Sequence, residues 1–226
     1  MRNNSMRGSV AFGLNPSSRL WKPVQVGAAT INHRVSLPAC TRMRSPQHLP
    51  APFVATFYEQ RSSGGLMVSE ATLIAKEAGG YPNTPGIWSH EQVSIWRDIV
   101  KGVHAKGSVF YCQLWALGRA NGGYEPDVKC VGPSDIPLST SKKGKPEQMT
   151  LEDIDRYLNH YRTAAQNAME AGNALMTKAS MAVRSMAPMG TWSINFCRLL
   201  VILCGRINME ALWRIVLVSY WTPFKL

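Results

Sequence analysis

The sequence predicts an α/β fold built on a parallel sheet, and three observations carry that prediction. The short, partly β-branched stretch 32–37 and the runs 66–68 and 108–114 read as strands. Segments of helical period follow each of them, at 53–61, along Val93, Trp96, Val100 and Val103, and along Leu151, Ile154, Leu158, Tyr161 and Ala165. Polar side chains (Thr41, Glu70, Gln113) fall at the expected strand ends. Repeated strand–helix alternation implies parallel strands joined by crossover helices, in a barrel or a doubly wound sheet, and both place ligands at the C-terminal strand ends. No Gly-x-Gly-x-x-Gly follows a strand and no phosphate-binding loop of P-loop type occurs, which weakens a dinucleotide site of Rossmann kind.

Each element has a local cause. The 32–37 strand is closed by Pro38, and Thr41-Arg42-Met43-Arg44 follows in a loop. A helix is entered after Pro52 and broken at Gly64-Gly65, before the strand at 66–68, with Glu70 and Ala71 emerging where that strand ends. Ser89 and Gln92 have the spacing of a capping box, which satisfies amides left free at a helix start, and Gly107 supplies the stop. The polar stretch 119–149 is too long for a plain connector and is expected to be functional. Thr150 with Asp153 caps the last helix, and Gly172 fits the position just past its end.

Composition narrows the function classes. The 226 residues are 45% apolar and 17% charged, a globular balance that excludes collagen-like, disordered and disulfide-scaffold chains. Twenty-five Lys and Arg against 14 Asp and Glu give a net charge of +11, yet the cations are scattered without a basic block or an aromatic RNA-binding signature, so no nucleic-acid partner is expected. Five cysteines, Cys40, Cys112, Cys130, Cys197 and Cys204, form no Cys-x-x-Cys pair, and neither a disulfide framework nor a metal site is expected. Cys40 is expected to be a small buried residue. No apolar run approaches the ~20 residues needed to span a bilayer, so no membrane partner is expected. A cytoplasmic location follows, with mitochondrial import as the alternative raised by Arg2, Arg7 and Arg19 in an acid-free start. Residues 1–18 are expected to be disordered.

Several linked motifs resemble one family. Thr41-Arg42-Met43-Arg44, Tyr58-x-Gln60-Arg61, Ser69-Glu70-Ala71-Thr72, the stretch from Gly79 to Trp88, and Gln113-Leu114-Trp115 with Gly118-Arg119 resemble the Old Yellow Enzyme family in order and spacing, over about residues 19–172. Ala116-Leu117-Gly118-Arg119 is most similar to the fungal branch. The resemblance implies a (β/α)8 TIM barrel holding FMN, with NAD(P)H as reductant and an activated alkene, an enone or enal, as the small-molecule substrate. It implies that Thr41 hydrogen-bonds the flavin carbonyl that gains charge on reduction, a catalytic role. Gln113 meets the pyrimidine edge, where donors and acceptors alternate. Ala39 and Ala71 lie beside the ring, Trp115 shapes the pocket above it, and Tyr81 lies near the substrate mouth. The family has Pro two residues before the Thr; here Ala39 stands there and Pro38 is one residue earlier.

The family's later motifs do not continue past Gly172. Residues 173–226 hold five of the eleven Met, three of the seven Trp and one acid. Read one frame over, the codons for residues 189–197 permit Gly-Tyr-Leu-Val-Asn-Gln-Phe-Leu, and those for residues 207–217 permit Asn-Lys-Tyr-Gly-Gly-Ser-Met-Glu-Asn-Arg-Ala; both resemble family sequence. The expectation is a barrel reduced to about its first three βα units, residues 19–172, followed by an atypical tail in an altered reading frame. The alternative to an ene-reductase is then a non-catalytic remnant or interaction fragment of the same family.

Overall fold

The computed structural model describes residues 17–26, 29–121, 124–137 and 145–172. Residues 1–16, within the start expected to be disordered, and the whole tail 173–226 lie outside the described residues. Ser18, inside that expected disordered start, caps a 3-10 turn at Arg19–Trp21, its Oγ accepting from the Leu20 amide at 3.3 Å.

Seven strands and three helices are described. A hairpin, β1 (Val24–Val26) and β2 (Ala29–Ile31), pairs antiparallel and precedes the expected first strand. β3 (Ser36–Leu37) is followed by α1 (Pro52–Glu59), β4 (Leu66–Leu73), α2 (His90–Ala105) and β5 (Val109–Trp115). The 119–149 stretch contains a small parallel pair, β6 (Val131–Gly132) with β7 (Glu147–Gln148), and α3 (Leu151–Ala171) ends the described chain. The central sheet runs β3-β4-β5, parallel throughout, as the alternation requires.

The helices pack on one face of this sheet. Pro52 occupies the first turn of α1, where its missing amide costs nothing, and Val54 and Tyr58 face inward. Both predicted capping boxes form, Ser89 with Gln92 and Thr150 with Asp153. Val93, Trp96, Val100 and Val103 of α2 are all buried against Met67, Phe110 and Leu114 of the strands. α3 contributes Ala164, Ala165 and Ala171, small residues that let it lie close against α2.

Four expectations need correction. The first strand shrinks from 32–37 to Ser36–Leu37, because the Asn32 and Arg34 amides donate to Gly64 and Leu20 carbonyls outside the ladder. β4 runs on through Glu70 and Ala71 to Leu73; the polar Ser69-Glu70 pair is a bulge inside the strand, not its end. Leu151 is 69% exposed, since α3's first turn extends beyond the core its later alanines fill. Cys40 is exposed, not buried, in the loop after β3. Among the described residues no helix is long and apolar enough to cross a membrane.

Candidate functional site

The C-terminal ends of β4 and β5 bring four of the predicted site residues together. Ala71 pairs in register with Gln113, and Leu73 with Trp115. Ala71, Trp115 and Leu117 form an apolar cluster distinct from the helix-facing core, with Tyr81 packed against it. The Tyr81 and Trp115 ring centroids stand 5.6 Å apart.

Gln113 is held from the backbone side. Its amide donates to Ser69 Oγ at 2.9 Å, so the Ser69 hydroxyl occupies the place that the bulge removes from the ladder. The residue is 3% exposed, and its Nε2 has no hydrogen-bond partner among the described residues. Trp115 Nε1 is likewise buried without a partner. Orphaned donors of this kind cost about 1–3 kcal/mol each, and two of them stand at this strand end. Ala71 beside them is 1% exposed and packs against Leu73, Trp115 and Leu117.

Ala39 and Thr41 lie half-buried in the loop after β3, and the next residue ties that loop to β4. The Arg42 amide donates to Glu70 Oε2 at 3.2 Å, and its guanidinium donates to Glu70 Oε1 through Nε at 3.1 Å and through the terminal nitrogen at 2.5 Å. The Glu70 side chain is fully buried. The Glu70 amide donates to the Tyr58 hydroxyl at 2.8 Å, and the Arg42 guanidinium lies 3.7 Å from the Phe57 ring centre. Burial and the nearby Glu70 carboxylate push the Tyr58 phenol far above its ordinary value, so it stays neutral and hydrogen-bonded. Met43 then turns the chain away with φ of 54°, a conformation that few non-glycine residues take.

Arg42, Tyr58 and Ser69 have no role in the sequence motifs beyond their presence, and Glu70 only a place at a strand end; the structure joins all four. An acid inside an apolar strand was the available signal, because a buried carboxylate requires a cation and Arg42 stands one residue from Thr41.

Comparison with known proteins decides the family. Residues 19–176 match the model of the NADH:flavin oxidoreductase / NADH oxidase family. The chain belongs to that family. A 12-oxophytodienoate reductase of Arabidopsis thaliana is 39% identical over 165 residues, covering 68% of this chain and 44% of the relative. An NADP-dependent oxidoreductase of Aspergillus flavus is 41% identical over 161 residues, covering 69% and 42%. Plant and fungal members of the flavin oxidoreductase family thus stand at similar identity, and neither branch is singled out. Among solved structures, an Old Yellow Enzyme from Pichia superposes with a TM-score of 0.64 at 36% identity, covering 68% of this chain and 44% of that one. Morphinone reductase gives 0.63 at 35%, with 68% and 45% covered. These relatives are (β/α)8 barrels, and the β3-β4-β5 sheet with its helices is a portion of that barrel. The chain spans less than half the length of each of these relatives.

Proposed function

We propose that this chain carries the ring-edge part of an FMN site in an NAD(P)H-dependent oxidoreductase that reduces activated alkenes. The observation that carries the reading is the buried Gln113 amide nitrogen without a partner, beside the small Ala71 at the ends of β4 and β5. FMN, when bound, supplies the hydride chemistry that no protein side chain provides. Gln113 offers a donor and an acceptor in one plane, which suits the alternating pyrimidine edge, and it is held there by Ser69. Thr41 offers a hydroxyl that donates to a carbonyl gaining negative charge, and the Arg42–Glu70 clasp fixes its position. Ala39 and Ala71 would place only methyl groups beside the ring. Trp115 and Tyr81 form the aromatic wall on which an enone or enal would pack.

Arg42, the cation next to Thr41, is committed to Glu70 and does not serve an FMN phosphate. A chain continued in the neighbouring frame after Gly172 is expected to purify yellow and to reduce an enone with NADPH. In it Thr41→Ala slows flavin reduction or reoxidation with the fold intact. A colourless, inactive product of that continued chain would refute the reading.

The second reading, a non-catalytic remnant, is favoured by the ordered out-of-frame matches in residues 189–217. On either reading the 226-residue chain by itself is expected neither to retain FMN nor to reduce enones, because a ligand gripped at one edge must offset its ordering cost from too few contacts.

A further inference from the structure

Three loops at the C-terminal side of the sheet meet around His48, a buried residue held at φ of 64°. Its Nδ1 lies 2.8 Å from the Thr84 carbonyl oxygen. A carbonyl only accepts, so Nδ1 carries the hydrogen. On the other side of the ring, Nε2 stands 3.5 Å from Glu125 Oε1. A neutral imidazole that donates through Nδ1 turns a lone pair toward that carboxylate, and two acceptors repel. The imidazolium donates both ways. Two uncharged neighbours complete its contacts among the described residues: the Trp88 indole, 5.4 Å away between ring centres, and Gln92, whose Nε2 donates to the His48 carbonyl at 3.3 Å.

Glu125 reaches a third loop as well. Its Oε2 accepts from the Gly80 amide at 3.1 Å. Gly80 has φ of 135°, and a Cβ there would stand 2.2 Å from Asn121 Oδ1, so this close approach requires glycine. Asn121 Nδ2 donates to the Val128 carbonyl at 3.2 Å and holds the far end of the same segment. Between these ties sits Tyr124, 66% exposed, with its ring 5.6 Å from that of Tyr81. Trp115, Tyr81 and Tyr124 make one aromatic line from the buried strand end to solvent.

We propose that His48 and Glu125 form a protonation-controlled latch on this aromatic line. With a proton on Nε2 the imidazolium clasps Glu125 and holds Tyr124 over Tyr81. When that proton leaves to solvent, segment 124–128 loosens and the Tyr81–Trp115 wall opens. The latch does not depend on flavin and stands apart from the proposed function.

Amide hydrogen exchange on the full 226-residue chain tests it, read at Gly80 and at residues 124–128 and corrected for the intrinsic pH dependence of exchange. Between pH 8 and pH 5 these amides are expected to become about fivefold to tenfold more protected. Glu125→Gln keeps an oxygen for the Gly80 amide but no charge, and it is expected to give pH-independent protection. His48→Asn, which tolerates positive φ, is expected to do the same. Protection independent of pH in the parent chain overturns the proposal, as does a pH dependence that survives Glu125→Gln. Should both variants unfold, seen as lost protection along α2, the parent profile alone decides. A parent chain unprotected along α2 also overturns the latch, which needs these loops in place.

Discussion

The Gln113 side chain, at the proposed site, differs from a packing residue of the same burial. Its Nε2 is buried and unpartnered, which a chain selected for stability alone would avoid. Gln113→Leu is therefore expected to raise the stability of the 226-residue chain by about 1 kcal/mol in urea unfolding. A loss of stability instead would mean the amide is satisfied. The opposite sign belongs to Arg42. Arg42→Ala leaves the fully buried Glu70 carboxylate without its cation and is expected to destabilise by about 3–5 kcal/mol, largely recovered when Glu70→Gln is added. A double variant no more stable than Arg42→Ala would remove the clasp from this account. Cysteine reactivity follows the same local logic. Cys40 is exposed, whereas burial pushes the Cys112 thiol up to about 11, so a maleimide should label Cys40 readily in the folded chain and spare Cys112. Cys40 shows why such details escape a sequence: a thiol suits a core or a loop equally well, and only the turn taken after β3 decides.

The elements were legible where local chemistry sets them. Ser89 with Gln92 and Thr150 with Asp153 mark two helix starts, and the α2 stripe from Val93 to Val103 is buried as its spacing requires. The β1–β2 hairpin and the β6–β7 pair were not legible, because strands of two or three residues are too short to show alternation. The polar residues Ser69 and Glu70 masked the continuation of β4, since their partners, Gln113 and Arg42, are distant in sequence. α3 carries an electrostatic anchor that was equally hidden. Arg156 and His160 both bond the Glu77 carboxylate, from the turn after β4, and the Tyr157 hydroxyl donates to the Glu77 carbonyl. Partial burial by itself raises the Glu77 carboxyl, but the bonds from His160 and Arg156 outweigh it and hold the group below its ordinary value. A depressed carboxylate contributes stability above its unfolded value and loses it as pH falls through the folded one. Protection along α3, corrected for the intrinsic pH dependence of exchange, is thus expected to fall as the Glu77 carboxylate is protonated in acid, and Glu77→Gln to remove that acid sensitivity. An acid profile unchanged by Glu77→Gln would contradict the anchor.

At the scale of the whole molecule, the described sheet has three strands, with β4 alone paired on both sides. Among the described residues β5 offers a seven-residue parallel edge. Phe53 on α1 is 52% exposed and Met169 on α3 is 54% exposed. Free edges and exposed apolar side chains favour association, so the 226-residue chain is expected to sediment as concentration-dependent oligomers; a monomer at every concentration would show the edges to be covered. The same geometry bears on chemistry. Under the proposed function, Gln113, Ala71 and Thr41 would address one edge of a flat ring, a grip that leaves most of a large polar cofactor to be held elsewhere. The direct measurement is an FMN titration of the purified 226-residue chain, followed by flavin fluorescence and the visible spectrum, with an enone and NADPH added at the end. The account predicts a colourless chain, no stoichiometric flavin and no enone reduction. Stoichiometric FMN with enone turnover in that same chain would contradict it.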